Sequence, residues 1–190
     1  EKSALLAEQL SKQRQEAAAR LESQVANELQ DLNMNQVVFK IDISHQEAET
    51  KQIAGKIMLQ NWSQLKKTGL IIGLDGQLGA GKTVFAKGLA QFLKIKQIIT
   101  SPTYTYLKEY DFKRHQTSGK FYHVDAWKID NKQQLETLKI KQLIQPGNVL
   151  AVEWWNQIKK FFPPNKAAVV TIGLKVKDKN TRNLIINKNE

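Results

Sequence analysis

The chain has 190 residues, 41% of them hydrophobic, which suits one domain of ordinary size plus an appendage. It has no cysteine and only three histidines (His45, His115 and His123), none paired at helical spacing, so disulfides and thiolate metal sites are excluded and no histidine zinc motif is present. The net charge of +11 is uneven: residues 1–33 carry four basic against six acidic side chains and the rest 25 against 12, a balance that attracts nucleic acid or acidic protein.

Residues 3–33 read as one helix. Leu6, Leu10, Ala17, Leu21, Val25, Leu29 and Leu32 recur at steps of three, four or seven, and no Gly or Pro interrupts them. The apolar stripe is thin and Arg14 breaks it, which suits a coiled coil, a partner helix or self-association through residues 3–33; a loosely docked terminal helix reads equally well. A composition shift follows. QVVFKIDI, residues 36–43, alternates like a strand, and Ser44 with Glu47 forms a capping box for a helix to about Trp62, with Ile53, Ile57 and Met58 on its buried face. The expected organisation is a helical extension over 1–33 and a globular domain over 34–190.

Residues 70–74, LIIGL, form a short apolar run of the kind found in strands buried on both faces. A glycine-rich loop and a helical pattern from Lys82 to about Leu93 come next, and strand, glycine loop and helix together are an α/β signature. Further strands are expected over 103–107, 121–124, 149–152, 168–172 and 184–186, with helices over 132–139 and 156–162, the second stopped by Pro163 and Pro164. The longest apolar runs, such as 149–152, are far too short to cross a membrane, and EKSALLAEQL has no signal-peptide core, so a cytoplasmic protein without a membrane span is expected.

Gly76, Gln77, Leu78, Gly79, Ala80, Gly81, Lys82 and Thr83 match G-x-x-x-x-G-K-[ST] between an apolar strand and a helix. Glycines let backbone N–H groups line a hollow for phosphate oxygens, and the positive end of the following helix dipole favours the same anion. Lys82 can neutralise the β and γ phosphates, and the Thr83 hydroxyl can ligate Mg2+. This predicts a P-loop NTPase-type three-layer α/β domain with a largely parallel central sheet. Such a site needs a carboxylate at a neighbouring strand end, and two are available: Asp125 closes FYHVD and Glu153 closes NVLAVE. SPTYT, residues 101–105, is either a hydroxyl-rich switch segment sensing the γ phosphate or a surface turn. Trp154 and Trp155 either stack on a ligand or partner or fill the core.

GQLGAGKT, SPTYTYLKEY, HVDAWKI and VEWW, in this order, resemble the TsaE family, formerly YjeE, over about residues 36–174. The resemblance implies a P-loop ATPase that binds ATP with Mg2+ and hydrolyses it slowly alone. It also implies work with TsaB and TsaD, which transfer a threonylcarbamoyl group to adenosine 37 of tRNA, with contact to tRNA through that complex. Carried over by motif, Lys82, Asp125 and Glu153 are the catalytic set, and Thr83, Asp125 and Glu153 the metal set. The nucleotide is held by residues 76–83 with Val84, Thr103 and Trp154, and Glu109 lies in the switch-like segment. The chain departs from the family pattern at Gln77 (aspartate), Val84 (threonine), Trp127 and Lys128 (tyrosine and arginine) and Trp155 (proline). Lys128 keeps the charge but loses the planar fork of arginine. RLESQVANELQDLNM, residues 20–34, resembles the returning coiled-coil arm of RecN.

Three other readings compete. A GTP switch needs an N-K-x-D loop, and Asn131-Lys132, Asn165-Lys166 and Asn187-Lys188 lack the aspartate. A small-molecule kinase needs an arginine-rich lid, and after residue 33 only Arg114 and Arg182 remain. A DNA-repair interaction module led by the N-terminal helix needs an L-S-G-G-like loop, for which Thr117-Ser118-Gly119-Lys120 is a poor match.

Overall fold

The computed structural model describes residues 46–129, 131–162, 167–178 and 181–188, with scattered positions between 16 and 27. The chain divides into two compact units, Glu1–His45 and Gln46–Glu190. In the first, the described positions, among them Ala17, Leu21 and Val25, are helical. The strand expected over 36–43 and the Ser44 cap lie outside the described residues.

The second unit opens with α1 (Gln46–Gln60) and α2 (Trp62–Thr68). One helix was expected to end near Trp62. Instead, the Asn61 amide donates to Ile57 O at 2.8 Å, and a second helix starts beyond it. Then follow β1 (Leu70–Asp75), α3 (Lys82–Phe92), β2 (Leu107–Arg114), β3 (Thr117–Asp125), α4 (Lys132–Thr137), β4 (Val149–Glu153), α5 (Trp155–Ile158), β5 (Ala168–Asp178) and β6 (Thr181–Lys188). The helices expected over 132–139 and 156–162 are shorter, each followed by a 3-10 turn, at Ile140–Leu143 and Lys159–Phe161. The strand expected over 103–107 starts later, at Leu107. Pro102 O accepts from the Thr105 and Tyr106 N–H groups at 3.0 and 2.7 Å, which makes the hydroxyl-rich segment a turn.

The six strands form one sheet in the order β2-β3-β4-β1-β5-β6. The inner pairs are parallel and the two outer pairs antiparallel, the largely parallel sheet expected. Every residue of β4 is buried, and so are the first five of β1, which is why both read as continuous apolar runs rather than alternating ones. Leu70, Ile72 and Leu74 join a core with Ile57 and Met58 of α1 and Phe85 and Leu89 of α3. Ile71 points the other way, into a second core with Val124, Leu150, Val152, Trp155 and Ile158. Period-two alternation along β1 thus builds a three-layer α/β domain. Among the described residues, no helix is long and apolar enough to cross a membrane.

Candidate functional site

Three parallel strands end side by side. Leu74 of β1 is paired with Glu153 of β4, which is paired with Asp125 of β3, so both carboxylates reach the sheet edge where the loop after β1 begins. In open α/β sheets this edge is where ligands bind.

The loop is shaped by two glycines. A Cβ on Gly76 would lie 2.4 Å from Leu174 O, so no side chain fits where the chain leaves β1. Gly81 has φ 101° and caps α3, a left-handed conformation that L side chains resist. The chain then enters α3 with Lys82 and Thr83 in its first turn, where free N–H groups and the helix dipole favour an anion.

Lys82 is buried, 4% exposed. Its ammonium donates to Gly76 O at 2.8 Å and Gln77 O at 3.0 Å and sits 3.8 Å from the Trp154 ring centroid. Burial pulls its pKa below the ordinary lysine value, opposed by the charges of Glu153, Asp125 and Asp75. The Thr83 hydroxyl donates to Glu153 Oε1 at 2.8 Å. Asp125 receives the Thr103 hydroxyl at Oδ2 and the Trp127 N–H at Oδ1, both at 2.9 Å, and the Ser101 and Thr103 hydroxyls are 2.8 Å apart. The hydroxyl-rich turn is therefore fastened to the β3 carboxylate.

Trp154 adopts φ 61°, a left-handed conformation that costs a non-glycine residue about 1–2 kcal/mol. The surrounding structure holds it: its N–H donates to Leu74 O at 2.8 Å, and its ring packs on Trp127 with centroids 4.3 Å apart. The two adjacent tryptophans divide the work. Trp155 is buried in the second core, and Trp154 lines the site.

These groups surround a cleft of about 480 Å³. Of the expected residues, Leu78, Gly79, Gly81, Lys82, Thr83, Val84, Thr103, Asp125, Glu153 and Trp154 line it. Gly76 and Gln77 contribute carbonyls to Lys82 instead, and Ala80 is buried beneath the loop. Glu109 is not brought to the cleft; it lies on β2, ion-paired with Lys120 at 2.8 Å. Ser101 of the 101–105 segment and Trp127 of the HVDAWKI motif, neither assigned to the site from sequence, also line the cleft, and His123 of the same motif has its Nε2 2.8 Å from Glu153 Oε1 behind it. The signal for His123 was present: it stands two residues before Asp125 on one strand, so alternation gives both the same face.

The donor set suits a hard cation. A hydroxyl and two carboxylates, all oxygen ligands, stand at the mouth of an anion-binding loop. Among the described residues no group of three or more His, Cys, Asp or Glu side chains is placed to hold a metal. Magnesium characteristically takes only one or two carboxylates, its remaining ligands coming from water and substrate phosphates.

The family described as "Threonylcarbamoyl adenosine biosynthesis protein TsaE" matches residues 44–184. A protein of Aquifex aeolicus named tRNA threonylcarbamoyladenosine biosynthesis protein TsaE is 32% identical over 146 residues, 76% of this chain and 92% of that one. A protein of the same name from Bacillus subtilis is 34% identical over 124 residues, 64% of this chain and 70% of its own. A solved structure, that of Bacillus subtilis YdiB, aligns with a TM-score of 0.48 at 26% identity over 73% of this chain and 77% of that one. The fold assignment rests on the strand order and layers described above.

Proposed function

The chain belongs to the TsaE family, and from that premise we propose that it binds ATP with Mg2+ in the cleft and hydrolyses it in support of tRNA threonylcarbamoyladenosine formation. The observation that carries the reading is the hydrogen bond from the phosphate-loop hydroxyl of Thr83 to the strand-end carboxylate of Glu153. P-loop NTPases use such a hydroxyl and such a carboxylate to hold magnesium.

The roles follow from position. Backbone N–H groups of the 76–83 loop and the first turn of α3 take the β and γ phosphates. Lys82 leaves the Gly76 and Gln77 carbonyls for phosphate oxygens, an exchange favoured because its ammonium is already largely desolvated. Thr83 and Glu153 are the residues that would hold magnesium, with Asp125 one strand further along the edge. The metal, when bound, supplies positive charge against the oxygens that become more negative during phosphoryl transfer. Asp125 and the 101–105 turn act on the γ-phosphate side, where Thr103 ties the turn to the carboxylate and sets where a water can be held. Trp154 and Trp127 wall the cleft and limit solvent entry.

We assign the partner as a TsaB–TsaD-type complex, with tRNA met through it and the cytoplasm as the site of action. The test is ATP-dependent modification of tRNA by purified TsaB and TsaD with a threonylcarbamoyl-adenylate source. Wild-type chain is expected to support it and a Lys82→Ala variant to fail. Equal support by both proteins contradicts the reading. Competition for bound ATP by GTP tests the nucleotide class, with weak competition expected.

A further inference from the structure

The oxygen that accepts from Thr83 has a second partner. Glu153 Oε1 lies 2.8 Å from His123 Nε2 as well as 2.8 Å from Thr83 Oγ1. His123 is fully buried on β3, its ring beside that of Phe121, and it does not line the cleft. Its other ring nitrogen, Nδ1, is buried and bonded to nothing. A carboxylate can only accept, so Nε2 is the donor.

With Nδ1 bonded to nothing, the polar contact the buried ring makes is the donor to Glu153. We propose that His123 is a positioning residue: through Nε2–H it holds the Glu153 carboxylate in the rotamer that meets the Thr83 hydroxyl, so that magnesium–nucleotide enters a preset pair of ligands. This rests on the assignment of Glu153 to the magnesium side. Partners behind a metal-ligating carboxylate fix its orientation, and their loss commonly lowers metal affinity by about 10- to 100-fold.

The test uses the full chain as wild type, His123→Phe, His123→Gln and Glu153→Gln. Calorimetric affinity for a non-hydrolysable ATP analogue is measured across a magnesium series, alongside hydrolysis and thermal unfolding. The expected result is that His123→Phe raises the magnesium concentration giving half the metal-dependent gain in affinity by about 10- to 100-fold. Its thermal unfolding remains cooperative, and its affinity without magnesium is unchanged. His123→Gln places an amide N–H near the Nε2 position and is expected to stay close to wild type. Should His123→Phe fail to fold, His123→Asn replaces it: its shorter amide is expected to lose the magnesium response that His123→Gln keeps. A normal magnesium requirement in His123→Phe, or equal behaviour of the Gln and Asn variants, while Glu153→Gln is defective, overturns the role of His123. A normal requirement in Glu153→Gln overturns the assignment beneath it and the inference with it.

Discussion

The Thr83 hydroxyl and the Glu153 carboxylate, 70 residues apart in sequence, meet at 2.8 Å where α3 begins and β4 ends. Removing the hydroxyl is therefore expected to cost metal-dependent affinity and little else. Thr83→Ala should weaken ATP binding in the presence of magnesium by about 10- to 100-fold, the equivalent of one hydrogen bond or ligand to a charged group. Thr83→Ser should keep most of it. Equilibrium titration with and without magnesium decides the matter, and equal losses in the two conditions contradict it.

The bond from Thr103 to Asp125 makes a second, separable prediction. If the 101–105 turn acts on the γ-phosphate side, Thr103→Ala and Asp125→Asn should lower kcat while leaving nucleotide affinity nearly intact. A group that acts only in the transition state shows this split. We expect a fall of about 100-fold in kcat. Because the two side chains act as a unit, the double variant should be little worse than the more damaging single one.

Asp75 gives a pH signature. Burial raises its carboxyl above 3.8, against the lowering effects of the Asn156 N–H, Lys159 and Lys82. One of its oxygens, Oδ2, is buried without a partner, while Oδ1 accepts from Asn156 N at 2.8 Å. Between 3.8 and the raised value, the folded chain keeps a proton that the unfolded chain has released. The contribution is thus fully present below 3.8 and is lost as pH rises through the folded value. Urea midpoints measured on the acid side of neutrality should fall less steeply with rising pH in Asp75→Asn than in wild type.

Phe85 separates folding from function. It lies two residues beyond Thr83 on α3, fully buried against β1. Phe85→Ala should cost about 3–5 kcal/mol of stability, read by chemical unfolding. Lys82→Ala should abolish nucleotide binding at a much smaller cost, because burial of that ammonium already opposes its charged form.

Much of this site was legible in the chain. Asp125 and Glu153 were found because each ends an apolar run, and neighbouring parallel strands bring their C-terminal ends to one edge. The loop was found because its residue types answer to phosphate geometry. What escaped was tertiary. β2 alternates, with Glu109, Asp111 and Lys113 exposed and Phe112 buried between the last two, but it offers no apolar run of the kind that marked the inner strands, and its turn at His115 (φ 53°) carries none of the usual Asn-Gly or Gly-Gly signals. His123 stood in sequence only as a motif residue, because its contact is with Glu153, contributed by another strand. Trp127 stands in sequence only as a replacement for the family's tyrosine, and its packing against Trp154 places it at the cleft.

The central claim is that the 76–83 loop grips a triphosphate. Isothermal titration of the folded chain with a non-hydrolysable ATP analogue and magnesium tests it most directly. We predict one site per chain, lost in Lys82→Ala while that variant keeps its fold. Absence of heat with the wild-type chain, also when TsaB and TsaD are present, or undiminished binding by Lys82→Ala, would contradict it.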